Sequence, residues 1–162
     1  MNKKIPIGVD NFSELVNLEE RYLFVDKSLL IKELIDQGTK VSLIIRPRRW
    51  GKTLNMSMLK YFFSKEVNNV ETKGIFDHLK IAEEREGYYV KKYQGKYPVI
   101  FISFKDIKKD NFNDFIDGVK SLVQEICNQY PQLEHSKKLS KTERDNFLKL
   151  LFKSASNEEL CN

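Results

Sequence analysis

The chain has 162 residues, of which 41% are hydrophobic and 31% charged, a composition typical of a folded globular domain rather than a disordered segment. No apolar run approaches the roughly 20 residues that span a bilayer, and no apolar segment follows the N-terminal lysines, so neither a membrane helix nor a secretory signal is expected. The net charge of +5 is compatible with a polyanionic partner, although most lysines lie near acidic residues, as on solvated helix faces.

The two cysteines, Cys127 and Cys161, lie far apart in the sequence and have no neighbouring histidine or cysteine. We therefore expect neither a zinc site nor a disulfide framework, and we expect reduced thiols in a cytoplasmic protein.

Residues 1–40 are predicted to form a lead-in helical segment. Asp26 is placed to begin a helix, and Gly38 is placed to end it, because glycine readily adopts the left-handed conformation at a helix C-terminus. Apolar residues repeat between them at helical spacing, namely Leu29, Leu30, Leu34 and Ile35.

Residues 41–63 are predicted to form a strand, a tight turn and a helix. The stretch 40–45 is short, apolar and rich in β-formers, which favours a strand buried on both faces. After the turn, two adjacent stripes of apolar residues predict a helix packed between a sheet and another element: Leu54, Met58 and Phe62, then Met56, Leu59 and Phe63.

Gly51-Lys52-Thr53 stands where this strand meets this helix and matches the end of the phosphate-binding motif G-x-x-x-x-G-K-[ST], with Arg46 in place of the first glycine. In this interpretation the N–H groups from Arg48 to Lys52 surround the β-phosphate of ATP or another purine nucleotide. Lys52 reaches the β- and γ-phosphate oxygens, and the Thr53 hydroxyl ligates Mg²⁺. A chance match at a helix start is the alternative, and the apolar segments on both sides argue against it.

Three further side chains of the loop are candidate nucleotide contacts. Arg48 and Arg49 could bind phosphate oxygens, pair with carboxylates elsewhere in the chain, or be exposed to solvent. Trp50 could cover the nucleotide, but packing between the loop and the core is the favoured interpretation for a lone tryptophan.

Residues 64–96 are predicted to form short helices and loops, and residues 97–162 a second strand followed by helices. The strand is Pro98–Phe104, and an amphipathic helix follows from Phe112 until Pro131 stops the helical pattern. Ser140 and Glu143 have capping-box spacing and begin another helix. Residues 156–159 resemble one more helix start, three residues before the end of the sequence, so we expect a chain truncated within an element.

The loop RPRRWGKT, preceded by PIGVDNF and YLFVDKSLLIKELI and followed by LKYFF, resembles the bacterial AAA-ATPase-like family. The resemblance implies that residues 1–162 are the N-terminal part of a P-loop NTPase domain, an α/β fold with a mainly parallel sheet flanked by helices, which we expect to be incomplete here. It also implies that Arg46 is the family's ordinary residue at the first position of the motif. A nuclease-like C-terminal domain, common in the family, is not covered by this chain.

The sequence departs from the family where the Walker B segment, an apolar strand ending in Asp-Glu, is expected. The nearest apolar strand continues into Lys105-Asp106, a poor site for a metal-bound water. His78 and His135 lie in polar segments and are expected on the surface, so no catalytic residue is assigned. We therefore expect nucleotide binding without efficient hydrolysis.

Two alternatives remain open. The chain could be a nucleic-acid or defence-system interaction module whose basic loop contacts a phosphodiester backbone. It could also be a non-functional truncated gene product whose apolar helix faces are left uncovered.

Overall fold

The computed structural model describes residues 3–47, 49–105, 107, 110–156 and 160. The chain divides into two compact units, Met1–Val99 and Ile100–Asn162. The first unit contains five helices and a hairpin among its described residues: α1 (Phe12–Leu15), α2 (Leu29–Gln37), α3 (Lys52–Phe63), β1 (Glu66–Val67), β2 (Val70–Glu71), α4 (Lys80–Glu83) and α5 (Tyr88–Tyr93), with the 3-10 turn Glu84–Gly87 between α4 and α5. The second unit contains α6 (Phe112–Asn128), the 3-10 turn Pro131–Leu133 and α7 (Lys141–Leu151).

Helix α2 ends where the sequence predicts and begins slightly later than predicted. Gly38 adopts the left-handed conformation, with φ of 58°, and stops the helix. The residue at the N-terminal cap is Ser28 rather than Asp26. Asp26 still shapes the entry, because its Oδ1 accepts the Ser28 N–H at 2.8 Å.

The core of the first unit is aromatic and is centred on α3. The Phe76 ring stacks on Phe12 at a centroid distance of 5.2 Å and meets the edge of Phe62 at 5.0 Å. Met58 and Phe62 are buried as predicted, whereas Met56 is 46% exposed, so the apolar arc of α3 is only partly covered. The buried cluster holds α3 against α1 and consists of Phe12, Val16, Ile31, Met58, Tyr61, Phe62, Val67, Phe76, Leu79, Ile81 and Tyr89.

The two strands predicted at 41–45 and 98–104 are not strands in this structure. Their described residues have no regular secondary structure, and Val41 and Leu43 are 85% and 81% exposed. Within the described residues the only sheet is the antiparallel pair β1–β2, so the predicted parallel sheet is not present there. The physical reason is that a strand needs a neighbouring strand to satisfy its backbone N–H and C=O groups, and neither run belongs to a sheet among the described residues.

The second unit is a helical pair. The prediction of α7 is confirmed in detail, because Ser140 and Glu143 form the full capping box. The N–H and hydroxyl of Ser140 hydrogen-bond Glu143 and lower the pKa of its carboxyl. Gln124 Nε2 donates to the Leu151 carbonyl at 2.7 Å and joins α6 to α7.

Helix α6 is confirmed, although one end of its predicted apolar stripe is uncovered. Phe112 is 69% exposed and Phe115 is 40% exposed. Gly118 lets Ile107 approach α6 closely, since a Cβ at this glycine would lie 3.0 Å from Ile107 Cγ2.

Other predictions have mixed outcomes. The segment 64–96 does consist of short helices and loops, with the β1–β2 hairpin in addition. His78 and His135 are exposed, as predicted. Of the helix start predicted at 156–159, residues 157–159 lie outside the described residues. Within the described part of the chain, no helix combines the length and apolarity needed to cross a bilayer.

Candidate functional site

A cleft of about 970 Å³ lies in the first unit, beside the N-terminus of α3. One side is formed by the loop and the first turns of α3, and the other by two N-terminal segments, residues 6–10 and 23–25. The Leu23 N–H donates to the Lys4 carbonyl at 2.7 Å, which aligns the two segments. The Phe12 N–H donates to Ser57 Oγ at 3.0 Å and fixes α1 to α3. The predicted loop therefore opens onto a cavity of the size usual for small-molecule sites.

The turn into α3 has an unusual backbone. Gly51 has φ of 74° and Arg49 has φ of 66°, both left-handed. Glycine adopts this conformation freely, whereas for arginine it costs on the order of 1 kcal/mol. Such outliers concentrate at functional loops, and this one places Arg49 on the rim of the cleft.

The Lys52 ammonium lies across the loop that precedes it. Its Nζ donates to the carbonyl oxygens of Arg46 and Pro47 at 2.5 and 3.0 Å. The lysine of the motif therefore contacts the segment where the motif's first glycine would stand. Both acceptors are neutral carbonyls, so an anionic oxygen would be a stronger partner for this ammonium.

The first turn of α3 has no side-chain cap. Gly51 stands at the N-cap position and has no side chain to offer, and the first backbone acceptor of the helix is its carbonyl, which the Asn55 N–H reaches at 2.9 Å. By comparison, α6 and α7 are capped by the side chains of Asn111 and Ser140. Gly51, Lys52 and Thr53 line the cleft, so the positive end of the α3 dipole lies beside it.

The remaining predicted site residues are placed as follows. Thr53 lies on the first turn of α3, exposed and lining the cleft. Trp50 is 59% exposed, so the interpretation that it packs between the loop and the core is wrong. Arg48 lies outside the described residues.

The described residues of the cleft offer few ligands for a metal ion. Among the described residues no group of three His, Cys, Asp or Glu side chains could hold one. Thr53 offers one hydroxyl oxygen, and Asp10 is the acidic side chain among the described residues that line the cleft. This donor set fits Mg²⁺, which keeps several waters and is commonly bound by one or two protein oxygens together with substrate phosphates.

Two charged residues of the cleft, Lys27 and Asp10, were not predicted from the sequence. A Cβ built on Gly51 would lie 4.0 Å from Lys27 Nζ, which places this second ammonium beside the loop. The signal was present, since both residues belong to segments that carry the family resemblance, YLFVDKSLLIKELI and PIGVDNF. Spacing alone does not bring residue 27 next to residue 51.

Residues 6–160, nearly the whole chain, match the family model AAA-ATPase-like, described as a predicted AAA-ATPase. No curated protein and no solved structure matches the chain.

Proposed function

The chain belongs to the predicted AAA-ATPase family, and from this premise we propose that it binds ATP, or another purine nucleotide, with its phosphates on the loop at residues 46–53. The observation that carries the proposal is the uncapped N-terminus of α3, which opens onto a cleft beside Lys52 and Arg49.

The phosphate end of the cleft is chemically suited to an anion. Backbone N–H groups at a helix N-terminus bind phosphate through their dipoles, and Lys52 adds a full charge. Phosphate oxygens would replace the carbonyls of Arg46 and Pro47 as acceptors for Lys52 Nζ, because charge-assisted hydrogen bonds are roughly twice as strong as neutral ones. Arg49 is placed to add a planar, two-pronged donor from the rim.

The opposite wall is suited to a base. Ile7 and Val25 line the cleft and are 88% and 74% exposed, and Leu23, also lining it, is 57% exposed. Covering such apolar surface with a flat purine ring would be favourable by about 25 cal/mol per Å². An apolar wall facing a cationic loop suits a nucleotide, whose base would cover the wall while its phosphates contact the loop.

Mg²⁺ would enter with the nucleotide and be held by Thr53 Oγ1 and phosphate oxygens. It would supply charge neutralisation between the β- and γ-phosphates. We assign no catalytic residue, since a Walker B acid is missing from the sequence and Asp106, the nearest candidate, follows Lys105. The proposal is therefore binding with little or no turnover by this chain alone.

The proposed fold is that of a P-loop NTPase. The support for this fold is the family membership.

The test is a titration with a fluorescent ATP analogue, using the wild type, Lys52→Ala and the control Lys73→Ala. Lys73 is exposed and lines a separate cavity beside the β1–β2 hairpin, so its loss should leave the affinity unchanged. The Lys52 variant should bind at least about tenfold more weakly, as expected for the loss of a charge-assisted contact. Equal affinity of the wild type and Lys52→Ala would reject the nucleotide site.

A further inference from the structure

The segment Asp26-Lys27-Ser28 is anchored to the N-terminus of α4 by the two residues on either side of the lysine. Asp26 Oδ2 accepts the Lys80 N–H at 2.7 Å, and Ser28 Oγ accepts the Ile81 N–H at 3.1 Å. Ser28 is completely buried. Since Asp26 also accepts the Ser28 N–H, the backbone on both sides of Lys27 is held in place.

The Lys27 side chain extends toward the phosphate loop instead. A Cβ built on Gly51 would lie 4.0 Å from its Nζ, and Lys27 lines the same cleft as Lys52 and Arg49. No hydrogen bond or ion pair to Lys27 Nζ is found among the described residues. Lys4 and Lys32 of the same unit, by contrast, pair with Glu20 and Glu84 at 2.9 and 2.6 Å.

Three cationic side chains thus line one cleft, next to the positive end of a helix dipole. Like charges held close together repel one another, and the described lining offers a single carboxylate, Asp10, against them. A ligand that carries several negative charges would relieve this repulsion, whereas a neutral ligand would not.

We propose that Lys27 is a second phosphate-binding lysine, which contacts the polyphosphate of the nucleotide together with Lys52. This inference rests on the proposed nucleotide site and adds a residue to it. Asp26 and Ser28 are positioning residues, because their bonds to α4 fix the backbone that carries Lys27. The three consecutive residues then have separate roles: two hold the segment, and one binds the ligand.

A phosphate-binding role for Lys27 predicts that the affinity lost on its substitution increases with the number of phosphates in the ligand. Loss of one positive charge a few ångströms from a polyphosphate should weaken ATP binding by roughly tenfold, with partial screening by solvent and salt. AMP carries less charge and should lose much less affinity. Lys27→Arg keeps the charge and should stay within about threefold of the wild type.

The experiment is displacement of a fluorescent ATP analogue by ATP, ADP and AMP from the wild type, Lys27→Gln, Lys27→Arg, Lys52→Ala and the control Lys73→Gln. Thermal melts of each variant check the fold, and Lys27→Gln should melt with the wild type because the side chain is exposed. The expected result is a loss for Lys27→Gln that grows from AMP to ATP, with Lys27→Arg and Lys73→Gln close to the wild type.

Two outcomes would overturn the inference, and they are distinguishable from failure of the proposed function. If Lys52→Ala loses ATP binding while Lys27→Gln retains it, the nucleotide site stands and Lys27 has no part in it. An equal loss for AMP and ATP in Lys27→Gln would assign Lys27 to some role other than polyphosphate binding. If the wild type itself binds no nucleotide, the proposed function fails first.

Discussion

Ser28→Ala should destabilise the first unit measurably, because Ser28 supplies a buried acceptor that water cannot replace. Its Oγ accepts the N–H of Ile81, and both residues are fully buried. The substitution removes the acceptor and leaves the Ile81 N–H inside the core without a partner. Such an orphaned group costs about 1–3 kcal/mol of unfolding free energy.

The expected loss of unfolding free energy corresponds to an easily measured shift in Tm. For a unit the size of Met1–Val99, each kcal/mol moves Tm by about 4–8 °C, so a loss of 2 kcal/mol lowers Tm by roughly 8–16 °C. The assay is thermal and urea unfolding followed by circular dichroism, with Ser42→Ala as the matched control. Ser42 is exposed and hydrogen-bonds only Thr39 among the described residues, so its loss should cost less than about 0.5 kcal/mol.

The reasoning would be refuted if Ser28→Ala and Ser42→Ala unfolded alike. That result would mean that the bond between Ser28 and Ile81 does not form in solution. The anchoring of the segment that carries Lys27 would then depend on the bond from Lys80 N–H to Asp26 alone.

Three further predictions concern separate parts of the chain. Val25→Ser should weaken binding of the ATP analogue several-fold and leave inorganic triphosphate binding unchanged, as competition titrations would reveal; parallel losses for both ligands would contradict an apolar base wall. Burial and the hydrogen bond to Asp36 raise the pKa of Tyr89, so its contribution to stability is present below the unfolded-state pKa of about 10 and is lost as the pH rises through the folded-state pKa. Urea unfolding from pH 8 to 11 should therefore show a free energy of unfolding that falls at alkaline pH, and the fall should be smaller in Tyr89→Phe. Identical pH profiles for the two proteins would contradict a raised pKa for Tyr89. Burial also raises the pKa of the Cys127 thiol, so iodoacetamide should label it slowly at pH 8 and rapidly in urea, measured by peptide mass spectrometry; rapid labelling of the folded protein would contradict its burial.

The sequence predicts the longer helices well because their signals are local. Apolar spacing and a terminating glycine define α2, and the capping box defines the start of α7. Each of these signals lies within a few residues of the element it specifies, so no knowledge of distant contacts is required.

The strands are predicted poorly because a strand depends on partners elsewhere in the chain. The segments 41–45 and 98–104 have the right composition, yet neither is part of a sheet among the described residues. The same limit applies to Trp50, whose exposure depends on whether a surface exists nearby to cover it. Composition indicates what a segment favours and not whether a neighbour is supplied.

Part of the candidate site can be predicted from local signals, and part depends on distant contacts. Gly51, Lys52 and Thr53 are found from the sequence because the motif is contiguous and stands at a helix start. Lys27 cannot be found in this way, because only the fold brings its ammonium close to Gly51. The bonds of Asp26 and Ser28 to α4 hold the segment that carries it. A single lysine outside a motif has no spacing signal of its own.

The most direct test of the nucleotide site is an amide NMR titration of the ¹⁵N-labelled protein with Mg²⁺–ATP. Phosphate binding at the N-terminus of α3 predicts saturable shifts at the N–H groups of Gly51, Lys52 and Thr53, and these shifts should be absent in Lys52→Ala. Unchanged loop resonances at saturating ATP, or shifts confined to residues outside the cleft, would contradict the proposal that this loop binds nucleotide phosphates.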